Sequence, residues 1–165
     1  MAEVKMEKYY QAYDKRYQQI HNLKLQWSSD VVTPILQELT VQFGIRKTDK
    51  ILEIGCGEGR DALWLLEQGY DILATDVSKE AISYCKKKNS KFSHLFFQLD
   101  VCEERLPQTF KFIYSISVIH MLVNQEDRNR FLTFIRDHLD EDGYGLILTM
   151  GDGEYEVTGD ITSAF

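Results

Sequence analysis

Three glycines, Gly55, Gly57 and Gly59, alternate with Cys56 and Glu58 directly after the short apolar run Ile51 to Ile54, in which Glu53 is the only charged residue. A turn this rich in glycine lets the backbone approach a ligand with no Cβ in the way. Two later apolar runs each close on an aspartate, Asp76 after ILAT and Asp100 after FFQL. One ionised carboxylate accepts both hydroxyls of a ribose, and a second can accept from an exocyclic amine such as that of adenine. Bare backbone and two acidic run ends therefore suit an adenosine-containing cofactor. A fourth run ends near Ser117 and is followed by His120. Histidine is the side chain best matched to proton transfer near neutral pH, so His120 is the candidate to orient or deprotonate an acceptor, with a structural histidine at a helix start as the alternative.

These residues need elements to hold them. KILEI is too short and too apolar for an amphipathic helix and reads as a fully buried strand. RDALWLLEQG follows with helical spacing at Ala62, Leu65 and Leu66 and a stop at Gly69. DILATD is strand-like, and Ser78 caps the helix KEAISYCKKK, whose Glu80 and Lys86 to Lys88 complement the two ends of the helix dipole. HLFFQLD and KFIYSIS supply two more strands. Asn124 caps QEDRNRFLTFIRDHL, with Gly143 expected to end that helix before a fifth strand, YGLILTM. Upstream, Tyr9, Tyr10, Tyr13, Tyr17 and Ile20 share one helical face, and Thr33 with Pro34 opens a further helix that stops before Gly44. Strands alternating with helices of this length predict a doubly wound α/β sheet, mostly parallel, with right-handed crossovers. Ligands of such sheets sit beyond the carboxyl ends of the strands, where the candidate residues lie.

The cofactor choice turns on residue 60. A dinucleotide fingerprint beginning at Gly55 and Gly57 needs glycine or alanine there, and the chain has Arg60. The actual pattern, E-x-G-x-G-x-G followed by Asp76 and Asp100, resembles the class I S-adenosylmethionine-dependent methyltransferases. LEIGCGEGRDALWLLEQGYDILATDVSKEAI is similar to the small methyltransferase-domain proteins of the tellurite-resistance and related small-molecule branch. The resemblance runs from about residue 50 to 150. It implies a Rossmann-like sheet in the order 3-2-1-4-5. It also implies that Gly55, Cys56, Gly57 and Gly59 form the turn around the methionine part of the cofactor, with Glu53 near its amino group. Asp76 would bind the ribose, Val77 the adenine face, Asp100 and Val101 the adenine edge, and Ser117 would close the pocket. Tyr17 and Trp27 would either cover the cofactor or pack as core.

The expected function is methyl transfer from S-adenosylmethionine to a small-molecule acceptor. A non-catalytic cofactor-binding module is the first alternative and an NAD-dependent oxidoreductase, discouraged by Arg60, the second. The formal net charge of −7 counts against nucleic acid, whose binding depends on Lys and Arg neutralising phosphates, and the stretch SISVIH lacks the D/N-P-P-Y/F motif of amino-methylating enzymes acting on DNA bases. No apolar run approaches a membrane span, and the polar N-terminus lacks the core of a signal peptide, so the expected location is cytoplasmic. Cys56, Cys85 and Cys102 are odd in number and scattered, which suggests reduced thiols and no metal site. One domain is expected: a helical cap over 1–46, a cofactor-binding core over 47–150 and a tail over 151–165. Against a complete class I fold the usual C-terminal strand pair is missing, which would leave the fifth strand as an open edge that invites a homodimer. Asp152, Glu154 and Glu156 of the tail read as a solvated acidic segment or as groups reaching a substrate.

Overall fold

A computed structural model describes residues 8–150 of the 165-residue chain. The expectations for the tail over 151–165, including Asp152, Glu154 and Glu156, and for the first seven residues of the cap lie outside the described residues.

Helices α1 (Tyr13–Asn22) and α2 (Pro34–Gln42) precede β1 (Lys50–Ile54), α3 (Arg60–Glu67), β2 (Asp71–Asp76), α4 (Lys79–Lys88), β3 (Phe96–Gln98), β4 (Phe110–Ile116), α5 (Gln125–His138) and β5 (Leu139–Leu148). The sheet order is β3-β2-β1-β4-β5 with all four pairings parallel, as the resemblance implied. Its period-two alternation splits the core. Ile51 packs with Phe112, Tyr114 and residues of α2, α3 and α4 on one face, while Leu52 and Ile54 pack with Ile113, Phe131 and Phe134 on the other. β1 is buried on both faces, so its near-continuous apolar run is what a central parallel strand requires.

Capping follows the local chemistry. The Ser78 hydroxyl accepts from the Ala81 amide and the Asn124 side chain from the Asp127 amide, while Gly69 takes a left-handed φ of +84° just past α3. Two expectations need correction. The third strand is shorter than HLFFQLD because residues 90–95 wind into a 3-10 turn and only Phe96–Gln98 pair with β2. Gly143 does not end the last helix, which stops at His138. The buried His138 ring accepts from the Leu106 amide at Nε2 (3.0 Å), donates from Nδ1 to the Phe134 carbonyl (2.7 Å) and stacks on Phe134. The next residue, Leu139, turns extended and pairs with Phe110, and the register then jumps to Phe112 with Tyr144, leaving 140–143 as an irregular stretch in which Gly143 sits. Among the described residues no strand pairs with the outer edge of β5, and no helix is long and apolar enough to cross a membrane.

Candidate functional site

The turn after β1 is folded by its own amides. Gly55 and Cys56 both donate to the Thr75 carbonyl at 2.8 Å, which draws the turn across the end of β2. The Gly57 amide and the Ser78 amide then donate to the two oxygens of Asp76, each at 2.8 Å. This path needs φ of +81° at Gly55, +53° at Gly57 and +82° at Gly59, where a Cβ is disfavoured. The result is a cavity of about 360 Å³ beyond the carboxyl ends of the strands. Glu53, Gly55, Cys56, Gly57, Asp76, Val77, Asp100, Val101 and Ser117 all line it.

Two of the predicted residues stand elsewhere. Gly59 faces away, and a Cβ there would meet the Cys85 sulfur at 3.0 Å and the Phe96 ring at 3.1 Å, so its bareness lets the turn pack on α4 and β3. His120 is not in the cavity wall; its Nδ1 lies 3.1 Å from the Thr149 hydroxyl, while the neighbouring Met121 and Leu122 supply the lining.

The carboxylates differ in what they already hold. Asp100 accepts from the Tyr10 hydroxyl (3.1 Å), the Gln11 amide group (3.2 Å) and the Cys102 backbone (3.0 Å). Burial pushes Asp76 up, and the Ser78 and Gly57 amides pull the other way without cancelling it. Glu53 is the exception, because its Oε2 is buried with no hydrogen-bond partner, and so is the Tyr114 hydroxyl close to it. Burial, then the Asp61 carboxylate, pushes Glu53 up to about 8; the Tyr114 hydroxyl opposes this, felt at short range without a hydrogen bond of ordinary geometry.

A raised carboxyl pKa means that the folded chain keeps a proton the unfolded chain has released. Stability tied to Glu53 is therefore fully present below its unfolded value and is lost as pH rises toward about 8. The Glu53→Gln variant is expected to flatten this decline, which is on the order of a few kcal/mol across the window, in urea titrations of ligand-free protein at stepped pH. An unchanged decline in the variant would assign it to other groups.

A cap of aromatic residues closes the opposite wall. Tyr10, Tyr13, Tyr17 and Trp27 line the cavity, with Trp27 at 6.2 Å from Tyr13 and 5.8 Å from Tyr17 between ring centroids. The Tyr17 hydroxyl lies 2.8 Å from where a Cβ of Gly57 would stand. Burial, then the Asp76 charge, pushes that hydroxyl well up, so it stays protonated.

Besides Asp100, three further carboxylates tie the cap down, and sequence reasoning identified none of these three. Asp14 of α1 accepts from the Ser78 hydroxyl and the Glu80 amide at the start of α4, both at 2.8 Å. Glu58, inside the glycine turn, accepts from the Trp27 amide, the Ser28 amide and the Ser28 hydroxyl. Asp61 accepts from the amide and the hydroxyl of Thr33, each at 2.8 Å, so Thr33 precedes α2 as expected while its side chain serves another element. Arg60, the residue that breaks the dinucleotide pattern, joins this last clamp through Asp61 and the Thr33 hydroxyl.

Known proteins are similar to this chain in sequence and in fold. A family described as a methyltransferase domain matches residues 51–143. The probable S-adenosyl-L-methionine-dependent methyltransferase TehB of Haemophilus influenzae is 29% identical over 103 residues, which are 60% of this chain and 35% of that protein. The crystal structure of a TehB-like SAM-dependent methyltransferase from Corynebacterium glutamicum superposes with a TM-score of 0.59 at 25% identity, covering 88% of this chain and 74% of that one. The glycopeptide N-methyltransferase MtfA, at 20% identity and a TM-score of 0.63 over 73% of this chain and 53% of its own, shares the fold. The chain spans between 35% and 47% of the length of the curated relatives it matches.

Proposed function

The chain belongs to the methyltransferase-domain family, and from that premise we propose that it binds S-adenosylmethionine at the strand ends and methylates a small-molecule acceptor. The observation that carries the reading is the unpartnered, buried Oε2 of Glu53 in the cavity wall, beside the left-handed backbone of Gly55 and Gly57. An orphaned carboxyl oxygen needs a donor, and the cofactor's amino group is one. In this reading Gly55, Cys56 and Gly57 lie along the methionine part, Asp76 accepts from the ribose, Val77 packs on the adenine, and Asp100 with Val101 holds its edge.

Bound there, the cofactor supplies a methyl group on a positively charged sulfur, ready for in-line transfer to a lone pair. The chain's own work is to bind, align and keep water out. Alignment of this kind can contribute about 7–11 kcal/mol to a barrier. Tyr13, Tyr17 and Trp27 form the water-excluding side, and the predominance of carboxylates in the lining favours a cationic cofactor. His120 has no part in this reading, since its ring is bonded to Thr149. The net charge of −7 disfavours nucleic acid as the acceptor, so a small molecule is the class proposed. The three free, buried cysteines suit a reducing compartment such as the cytoplasm.

Calorimetric titration with S-adenosylmethionine, S-adenosylhomocysteine and NAD tests the cofactor. Micromolar binding of both sulfur nucleosides and none of NAD is expected. No binding by folded protein would overturn the reading. Binding without methylation across a panel of small acceptors would turn it into the non-catalytic alternative.

A further inference from the structure

His21 stands in the last turn of α1 with a carboxylate on each ring nitrogen. Nε2 lies 3.0 Å from Glu58 Oε1 and Nδ1 lies 2.9 Å from Glu80 Oε1. A neutral imidazole has one N–H, so it can satisfy only one of these contacts and must set a lone pair against the other oxygen. The imidazolium satisfies both, with charge-assisted bonds. The side chain is only 10% exposed and Glu58 only 1%, so solvent does little to relieve a mismatch.

Ring contacts fix the imidazole further. The aromatic ring of Tyr84 on α4 stacks on it at 4.3 Å, and Tyr17 on its own helix lies 5.9 Å away.

Glu58 connects this contact to the cavity. Burial alone would push its carboxyl up, but the Ser28 and Trp27 amides and then His21 outweigh burial and bring it below the usual carboxylate range. The same carboxylate holds the backbone at Trp27 and Ser28, both of which line the cavity, and it belongs to the glycine turn itself. His21 thus joins the cap helix, α4 and the turn at one point.

We propose that His21 is a positioning residue of the cofactor site: bridging Glu58 and Glu80, it holds the aromatic cap against the glycine turn, so that its removal weakens cofactor binding. The inference rests on the cofactor reading above for its ligand, and on the cap contacts alone for its mechanism.

The test is titration of S-adenosylhomocysteine at fixed pH, with hydrogen exchange of the Trp27 and Ser28 amides, the two that donate to Glu58, in ligand-free protein. In His21→Ala affinity is expected to fall about tenfold, and both amides should lose protection while those of β1 keep theirs. His21→Gln, which restores one donor, should recover part of both. Wild-type affinity and protection in His21→Ala would overturn the proposal and leave the cofactor reading standing. Lost protection in His21→Ala, when the wild-type protein binds no sulfur nucleoside, would uphold the clamp and overturn the cofactor reading instead.

Discussion

Replacing Asp76 with alanine is expected to weaken binding of S-adenosylhomocysteine at least about a hundredfold, as a buried acceptor of a polar ligand is removed at a cost of about 1–3 kcal/mol per group left unpaired. Asp76 sits at the end of β2, is only 8% exposed, and receives a backbone amide on each of its two oxygens, from Gly57 on one and from Ser78 on the other. Truncation would remove the proposed ribose partner and release the Gly57 amide together with the start of α4. Loss of stability and loss of affinity should therefore appear together. The Asp76→Asn variant separates them: it keeps the volume and one acceptor oxygen but sets an NH2 against an amide donor. Urea titration should find it less destabilised than Asp76→Ala, while calorimetry still finds a large loss of affinity. Folded Asp76→Ala with unaltered affinity would mean that the ribose is held elsewhere.

Why Asp76 was visible in sequence while the cap clamps were not is a matter of range. Asp76 closes an apolar run, and the strand that carries it can be recognised from five or six adjacent residues. The alternation of strand and helix then predicts parallel pairing, and the resemblance supplied the order that the sheet adopts. Strand ends in such a sheet converge on one side, so residues far apart in sequence reach one cavity without any pairwise signal between them.

The clamps have no such local mark. Glu58 reaches Ser28 across 30 residues, and Asp61 reaches Thr33 across 28. At the start of a helix an acidic residue is already explained by the helix dipole, which hides any longer-range partner. The same holds at His138: nothing in RDHLDEDG distinguishes a helix that runs on to Gly143 from one stopped by a buried imidazole bonded to Leu106. The cap aromatics showed a helical stripe, but the stripe alone could not decide between core and cavity wall. Trp27 is 49% exposed and yet touches both Tyr13 and Tyr17, so it is at once surface and lining.

Gly55→Ala should be among the most destabilising single changes in the turn, at about 2–4 kcal/mol, because two independent costs meet there. The first is conformational. Its φ of +81° is a region that L side chains rarely adopt, worth about 1–2 kcal/mol. The second is steric, since an added Cβ would stand 2.1 Å from Val118 Cγ2 and 3.5 Å from Val118 Cβ. Val118 opens the 3-10 turn after β4 and packs against the core on that face, so it cannot swing aside without disturbing Ile119 to Met121. Gly44→Ala isolates the first cost, having a φ of +61° and nothing within 4 Å of the added carbon. The double variant Gly55→Ala with Val118→Ala isolates the second. If both costs operate, urea titration should place Gly44→Ala near 1 kcal/mol and Gly55→Ala well beyond it, with Val118→Ala recovering about half of the difference. Equal losses at Gly44 and Gly55 would mean that the turn yields to a side chain, and a pliable turn could not hold the backbone approach on which the cofactor reading depends.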